Sequence, residues 1–276
     1  MRSLGIHVRL NSTLDDLCAY VKQLNMTALQ MFVSNEQSRT LIHPTVAECR
    51  RFAHFLHNHI AHAYVHASYL INPARDILLD NHRVFTREMR LAQRLGFRAI
   101  ILHPGSPDRK QSRIAGIEAL ARFANQVKQH YPTMLVIFEN VAFKEPSIGG
   151  NFEDFNLLLQ KVDDPDTVAF CIDTAHAHAY GYDFSTVHAQ HDFIEHVATM
   201  IGIQRIALLH INDTNEPRGS CIDRHSLFEQ GVIGEDALRT FALHKKLAHI
   251  PLIAELPVSD VAYHRQIMQK LYAWHQ

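Results

Sequence analysis

Cysteine is scarce: Cys18, Cys49, Cys171 and Cys221 lie far apart and form neither a CxxC pair nor a disulfide-like framework. That usage fits a reducing compartment, and the four thiols read as packing residues. Glycine is sparse too, with 11 in 276 residues, and none builds a glycine-rich phosphate turn after an early strand. Neither sign of charge is in excess. With 27 Lys and Arg against 28 Asp and Glu the formal net charge is -1, so a polyanionic partner would have to be held by a local patch. No apolar run approaches the roughly 18 residues needed to cross a bilayer, and the opening "MRSLGIHVRLNST" lacks the apolar core of a signal peptide. A soluble, cytoplasmic protein without a membrane partner is expected. Linkers, low-complexity tracts and charge runs are also missing, so residues 1–276 read as one domain, 47% hydrophobic and able to bury a large core.

Histidine, by contrast, is abundant. The 21 imidazoles nearly equal the Lys and Arg together, and this side chain is both the neutral-pH proton carrier and the commonest metal ligand. Short β-type runs recur along the chain at 4–8, 28–33, 63–70, 99–103, 135–140, 168–173, 206–211 and 251–256. Helical patterning follows most of them. Ser12 or Thr13, Pro44, Pro73, Asn151 and Ser259 or Asp260 mark helix starts, and Gly96 marks an end. Eight strand candidates alternating with helices over this length predict a (β/α)8 TIM barrel, ahead of an open doubly wound sheet.

The polar residues fall in register with that repeat. His66, His103, Glu139, Asp173, His210 and Glu255 each stand at or near the C-terminal end of a candidate strand, separated in turn by 37, 36, 34, 37 and 45 residues. In a barrel these ends ring one mouth, so the six would converge. A lone His or Glu at such a place is more often a hydrogen-bonded structural group than a ligand. Six together are different, because burying them uncompensated costs several kcal/mol each, and divalent cations are the obvious compensation. His176 follows Asp173 by three residues, and "DRH" sets Asp223 and His225 on one side of an extended segment with Arg224 facing away. Imidazoles mixed with carboxylates favour zinc, although manganese and iron accept many of the same groups.

These blocks carry a family resemblance. "HASYLIN" (66–72), "LHPGS" (102–106), "IFEN" (137–140), "CIDTAHAHAYGYD" (171–183), "HIND" (210–213), "GSCIDRH" (219–225), "GVIG" (231–234) and "LIAEL" (252–256) resemble the endonuclease IV family of apurinic/apyrimidinic endonucleases, in order and spacing, over essentially the whole chain. The resemblance implies a TIM barrel with three zinc ions per chain. It also implies a monomer that acts on double-stranded DNA, cutting 5′ to abasic sites to leave a 3′-hydroxyl and cleaning blocked 3′ ends. Position by position it implies that His66, His103 and Glu139 hold one zinc. Glu139 bridges to a second, completed by Asp173, His210 and Glu255, while His176, Asp223 and His225 hold the third.

Glu139 is the catalytic candidate, since it supports the pair of ions whose shared hydroxide would attack phosphorus while the third ion neutralises the departing 3′-oxygen. Tyr69 and Leu70 match the residues that family members wedge into the gap left by the missing base, a nucleotide that is cheap to rotate out. Arg39, in the 34–40 loop, stands displaced from the family's inserting arginine. Arg224 and other mouth residues (Arg9, Arg75, Arg109, Lys110, Lys144, Arg218) are candidates for phosphate contact. His7 is expected behind the ligands or facing phosphate, and His178 is not a ligand. Glu229, Gln230 and Gly231 replace the family's Gly-Glu-Gly, which predicts altered support around an intact ligand set. Two other readings explain fewer residues: a sugar isomerase or epimerase using Glu139, Asp173, His210 and Glu255 around one or two ions, and a damaged-DNA binder without turnover.

Overall fold

The computed structural model describes residues 2–10, 13–34, 41–75, 83–257 and 260–275. Eight parallel strands, β1 (Leu4–Val8), β2 (Ala28–Phe32), β3 (His62–His66), β4 (Ala99–Leu102), β5 (Leu135–Glu139), β6 (Val168–Asp173), β7 (Ile206–His210) and β8 (Leu252–Ala254), close in sequence order into a barrel. The helices α1 (Leu14–Gln23), α2 (Val46–His59), α3 (Arg83–Arg94), α4 (Arg113–His130), α5 (Phe152–Leu159), α6 (Thr174–Tyr180), α7 (Val187–Ile201), α8 (Glu235–Ala242) and α9 (Val261–Ala273) alternate with them.

Alternation along each strand decides what faces where. One set of side chains, among them Leu4, Ile6, Leu29, Met31, Val65, Phe138 and Phe170, packs outward against the helices in the larger core. The other set fills the barrel: Ala28, Tyr64, Ala99, Ile101, Ile137, Ala169, Cys171, Leu208 and Ile253. Two residues further along the same inward face come His66 after Tyr64, His103 after Ile101, Glu139 after Ile137, Asp173 after Cys171, His210 after Leu208 and Glu255 after Ile253. The barrel floor is therefore apolar and its mouth is ionisable, from one periodicity.

Local chemistry starts the helices where the chain must turn back. Thr13 and Thr45 form capping boxes with Asp16 and Glu48, and Ser112, Asn151, Thr186 and Asp260 accept backbone N–H groups at their helix starts. Two expected boundaries move. The run 63–70 ends as a strand at His66: the Ala67 N–H still bonds the Ile101 carbonyl, but Ser68–Ile71 then closes a turn. The helix expected after Pro73 starts, among the described residues, at Arg83, because residues 73–75 form a turn held by the Pro104 and Asn72 carbonyls.

Candidate metal centre

Asp173 shows how the site is built. It ends β6 and serves as N-cap of α6, where its Oδ1 accepts the His176 N–H at 2.9 Å. The cap fixes the third residue of the helix, so His176 is delivered to the mouth by the same carboxylate. Asn140, directly after Glu139, holds this corner from the neighbouring strand. Its side chain accepts the Asp173 N–H at 2.7 Å and donates to the Asp173 carbonyl at 3.1 Å.

The predicted residues meet at the mouth. Three sets place donor atoms within 4.8 Å of one another: His66, His103 and Glu139; Glu139, Asp173, His210 and Glu255; and Asp173, His176 and His225. Asp223 joins the last through His176, whose Nε2 is 3.1 Å from Asp223 Oδ1. Glu139 is the hub. Its Oε2 lies 3.1 Å from His66 and 3.4 Å from His103, and its Oε1 lies 2.8 Å from His210 and 3.4 Å from His176. His66, Glu139, Asp173, His176 and His210 are buried, whereas Asp223 opens to solvent.

Whether these residues suit cations can be read from the imidazoles. His66 Nδ1 lies 2.8 Å from the Ala67 carbonyl, His176 Nδ1 2.9 Å from that of Asn140, His225 Nδ1 3.1 Å from that of Glu255, and His210 Nε2 2.7 Å from the Gln30 amide oxygen. Those oxygens only accept, so each ring commits an N–H outward and leaves its other nitrogen facing a carboxylate. A bare lone pair against a carboxylate repels unless a cation or a proton sits between them. His225 Nε2 is buried without a hydrogen-bond partner, 3.5 Å from Asp173 Oδ2. The donor set fits divalent cations.

Electrostatics agrees. Burial pushes the Glu139 and Glu255 carboxyls up, but the surrounding imidazoles, His210 foremost, outweigh it and hold both well below the usual carboxylate range. Burial lowers His176 and His210, yet Asp173 and Asp223 at His176, and Cys171 followed by Glu255 and Glu139 at His210, carry both well above the usual histidine value.

Several supporting residues escape a reading of the sequence. Gln30, an amide on the inward face of β2, donates to His7 Nδ1 at 2.7 Å and to Glu255 Oε1 at 2.5 Å while accepting from His210. Its one signal is a lone polar residue inside the run "ALQMFV". Asn212 donates to Asp173 and, at 3.3 Å, to Glu255, and accepts the Glu255 N–H at 2.7 Å. Asp213 accepts N–H groups from Thr214, Ile233 and Gly234 at 2.8–3.0 Å, which closes the base of the long segment carrying Asp223 and His225. Gly231 backs onto that carboxylate, where a Cβ would lie 2.0 Å from Asp213 Oδ1. Cys171, expected only to pack, lies beneath the second set with its sulfur within 4.8 Å of donors on Glu139 and His210, and burial raises its thiol pKa to about 12.

His7 lies beside the donor groups, 3.3 Å from Glu255 Oε1, and burial lowers its pKa. His178 belongs to none of the donor sets among the described residues. Tyr69 and Leu70 stand exposed on the rim, 55% and 43%, with the Tyr69 ring 5.5 Å from that of His66 and 5.3 Å from that of His103. Among the phosphate candidates, Arg224 is exposed and bonds Glu216 at 2.9 Å, Arg75 pairs with Asp108 at 3.2 Å, and Arg218 pairs with Asp183. Arg39 lies outside the described residues. The displaced Glu229 faces α9, bonding Tyr263 and Gln266 at 3.0 Å, so it does not support the cation sites.

A cavity of about 740 Å³ opens beside the site, lined near the donors by His7, Tyr69, Asp223, His225 and Glu255. No helix among the described residues is long and apolar enough to cross a membrane.

The chain is similar to a protein of Chlorobium phaeobacteroides described as "Probable endonuclease 4", 30% identical over 95% of this chain and 94% of that one. Its fold is similar to that of endonuclease IV from Thermus thermophilus, with a TM-score of 0.83 at 24% identity over 99% and 98% of the two chains. A D-tagatose 3-epimerase-like protein shares the fold at a TM-score of 0.67 and 17% identity, over 99% and 98%. The family described as "Xylose isomerase-like TIM barrel" matches residues 18–274, so with the endonuclease 4 relative covering nearly its whole length, this chain belongs to that barrel family and to its endonuclease IV branch.

Proposed function

We propose that the protein is a zinc-dependent DNA-repair endonuclease that hydrolyses the phosphodiester 5′ to an abasic site in duplex DNA, leaves a 3′-hydroxyl, and trims blocked 3′ ends. The observation that carries this reading is the orientation of the four imidazoles. Each turns a proton out to a carbonyl or amide oxygen and aims its remaining nitrogen at a carboxylate. His66, His103 and Glu139 would hold one ion, Glu139, Asp173, His210 and Glu255 a second, and His176, Asp223 and His225 a third. Cations there supply an activated water for attack on phosphorus and neutralise the departing oxygen.

The chain's own residues do the rest. Gln30, Asn140 and Asn212 fix the directions of His210, Asp173 and Glu255, so the donors need no rearrangement as charge develops. Tyr69 and Leu70 offer an aromatic and an aliphatic wedge at the rim, suited to the space an absent base leaves in the stack. Arg224 and the other exposed mouth cations supply phosphate contacts. The set of Glu139, Asp173, His210 and Glu255 alone would suit an isomerase. Favouring the nuclease are the two further donor groups, which a one- or two-ion sugar site leaves unused.

Metal analysis of the purified protein, paired with nicking of duplexes with and without one abasic-site analogue, tests the proposal. About three zinc ions per chain and cleavage confined to the abasic duplex are expected. One ion per chain, with sugar epimerisation and no nicking, would refute it.

A further inference from the structure

Glu88 lies on α3, remote in sequence from every donor, and is fully buried. Two bonds account for its carboxylate: the Ser34 hydroxyl donates to Oε1 at 2.5 Å and the Ser68 N–H donates to Oε2 at 3.1 Å. Among the described residues no Lys or Arg pairs with it, and the His66 imidazole acts on it electrostatically without forming an ion pair. A buried carboxylate without a paired counter-charge is costly, and burial raises its pKa.

Both bonds end at loop roots on the rim. Ser34 pairs with Leu41 in an isolated antiparallel bridge at the top of β2. Ser68 follows His66 by two residues, immediately ahead of Tyr69 and Leu70. From Ser68 the turn continues: its hydroxyl accepts the Leu70 N–H at 3.3 Å and its carbonyl accepts the Ile71 N–H at 3.0 Å. The two exposed wedge residues thus hang from one anchored backbone position, and Glu88 holds the anchor.

We propose that Glu88 is a positioning residue for lesion recognition, clamping Ser34 and Ser68 so that the Tyr69–Leu70 turn stands preformed at the mouth. The inference rests on reading Tyr69 and Leu70 as the wedge. A preformed turn spares the complex the cost of ordering two side chains and their backbone on binding. Loss of the clamp therefore weakens capture of the lesion while leaving the metal donors in place.

The test compares E88Q and E88L in the full-length, zinc-loaded protein. Gln keeps both bonds, its carbonyl accepting from Ser68 and its NH2 donating to the Ser34 hydroxyl, whereas Leu leaves the Ser68 N–H buried without an acceptor. For E88L the expected result is a KM for abasic duplex raised roughly tenfold, as the ordering of two side chains implies, with kcat and zinc content unchanged. E88Q restores KM. A purely structural role would instead lower melting temperature and kcat and leave KM alone. Hydrogen exchange of residues 67–71 without DNA reads the clamp independently of catalysis, with protection expected in wild type and E88Q and lost in E88L. Should E88L fail to fold, S34A removes one clamping bond and is expected to shift KM and exchange in the same direction. Equal exchange protection in wild type and the disrupted variant, or an E88Q as impaired as E88L, overturns the proposal. If wild type itself does not nick abasic duplex, the functional reading fails while the exchange comparison still decides the clamp.

Discussion

Replacing Glu139 with Gln tests the centre at its hub. One carboxylate touches four imidazoles within 3.4 Å and belongs to both inner donor sets. The amide keeps the shape but loses the charge and one of two acceptor oxygens, so neither inner set keeps its full complement, while the set of Asp173, His176, His225 and Asp223 keeps every donor of its own. Zinc content is expected to fall from three ions per chain to one. A cation contributes several kcal/mol of transition-state stabilisation, and 4 kcal/mol is about a thousandfold in rate, so kcat/KM for abasic duplex falls by roughly 10³ or more. Stability falls too. A site filled at 100 times its Kd stabilises by about 2.7 kcal/mol, or roughly 5–10 °C for each ion lost from a domain of this size. Elemental analysis, calorimetry and single-turnover nicking measure the three effects. Retention of two or more ions together with nicking within tenfold of wild type refutes the hub assignment.

Asp213→Asn leaves the Gly234 N–H facing an amide NH2, which costs about 1–3 kcal/mol and loosens the segment carrying Asp223 and His225; reduced melting temperature and selective loss of one zinc are expected, and unchanged metal content contradicts it. Tyr69→Ala with Leu70→Ala removes the exposed rim wedge, so KM for abasic duplex rises at least tenfold, the loss of one stacked aromatic being worth about 1–3 kcal/mol, and zinc content stays at three; a normal KM counts against the wedge. In chelated protein the raised His176 and His210 contribute stability that is complete below the ordinary histidine pKa of about 6.5 and is lost as pH rises through their folded values. The depressed Glu139 and Glu255 contribute stability that is present above about pH 4.3 and lost as pH falls through theirs. Metal-free protein is therefore most stable between about pH 4.5 and 6.5, and the increment from zinc grows from pH 6 to 8 as protons stop competing for the donors. A melting temperature in chelator that climbs steadily from pH 6 to 8 is incompatible with these shifts.

What the sequence makes legible and what it hides follow from range. A barrel strand is a local object: "AIILH" and "IALLH" are each an apolar run ended by an imidazole, and that ending can be seen without knowing any neighbour. The fold and the ligand candidates are readable for this reason, whereas the capping that turns Asp173 into the start of α6 emerges only in the structure. The start of the turn, 68–70, reads as strand in the sequence because Tyr69 and Leu70 are apolar for a reason local patterning does not encode, since both face solvent at the rim. The supporting residues are hidden more deeply. Gln30 meets His210 across 180 residues, Asn212 meets Glu255 across 43, and Glu88 meets Ser34 across 54. An isolated Gln, Asn or Glu looks the same whether it will orient a ligand or face water, and only closure of the barrel decides which. Ligands repeat with the strand period because the strand itself places them. The groups that aim them come from adjacent or opposite strands and from loops after them, and apart from Gln30, two residues after the inward Ala28, they stand outside that period. The residues that would tune this centre are thus the ones that sequence patterning ranks least reliably, and Glu88, on a helix outside the barrel and bonded to two loop roots, is the extreme case.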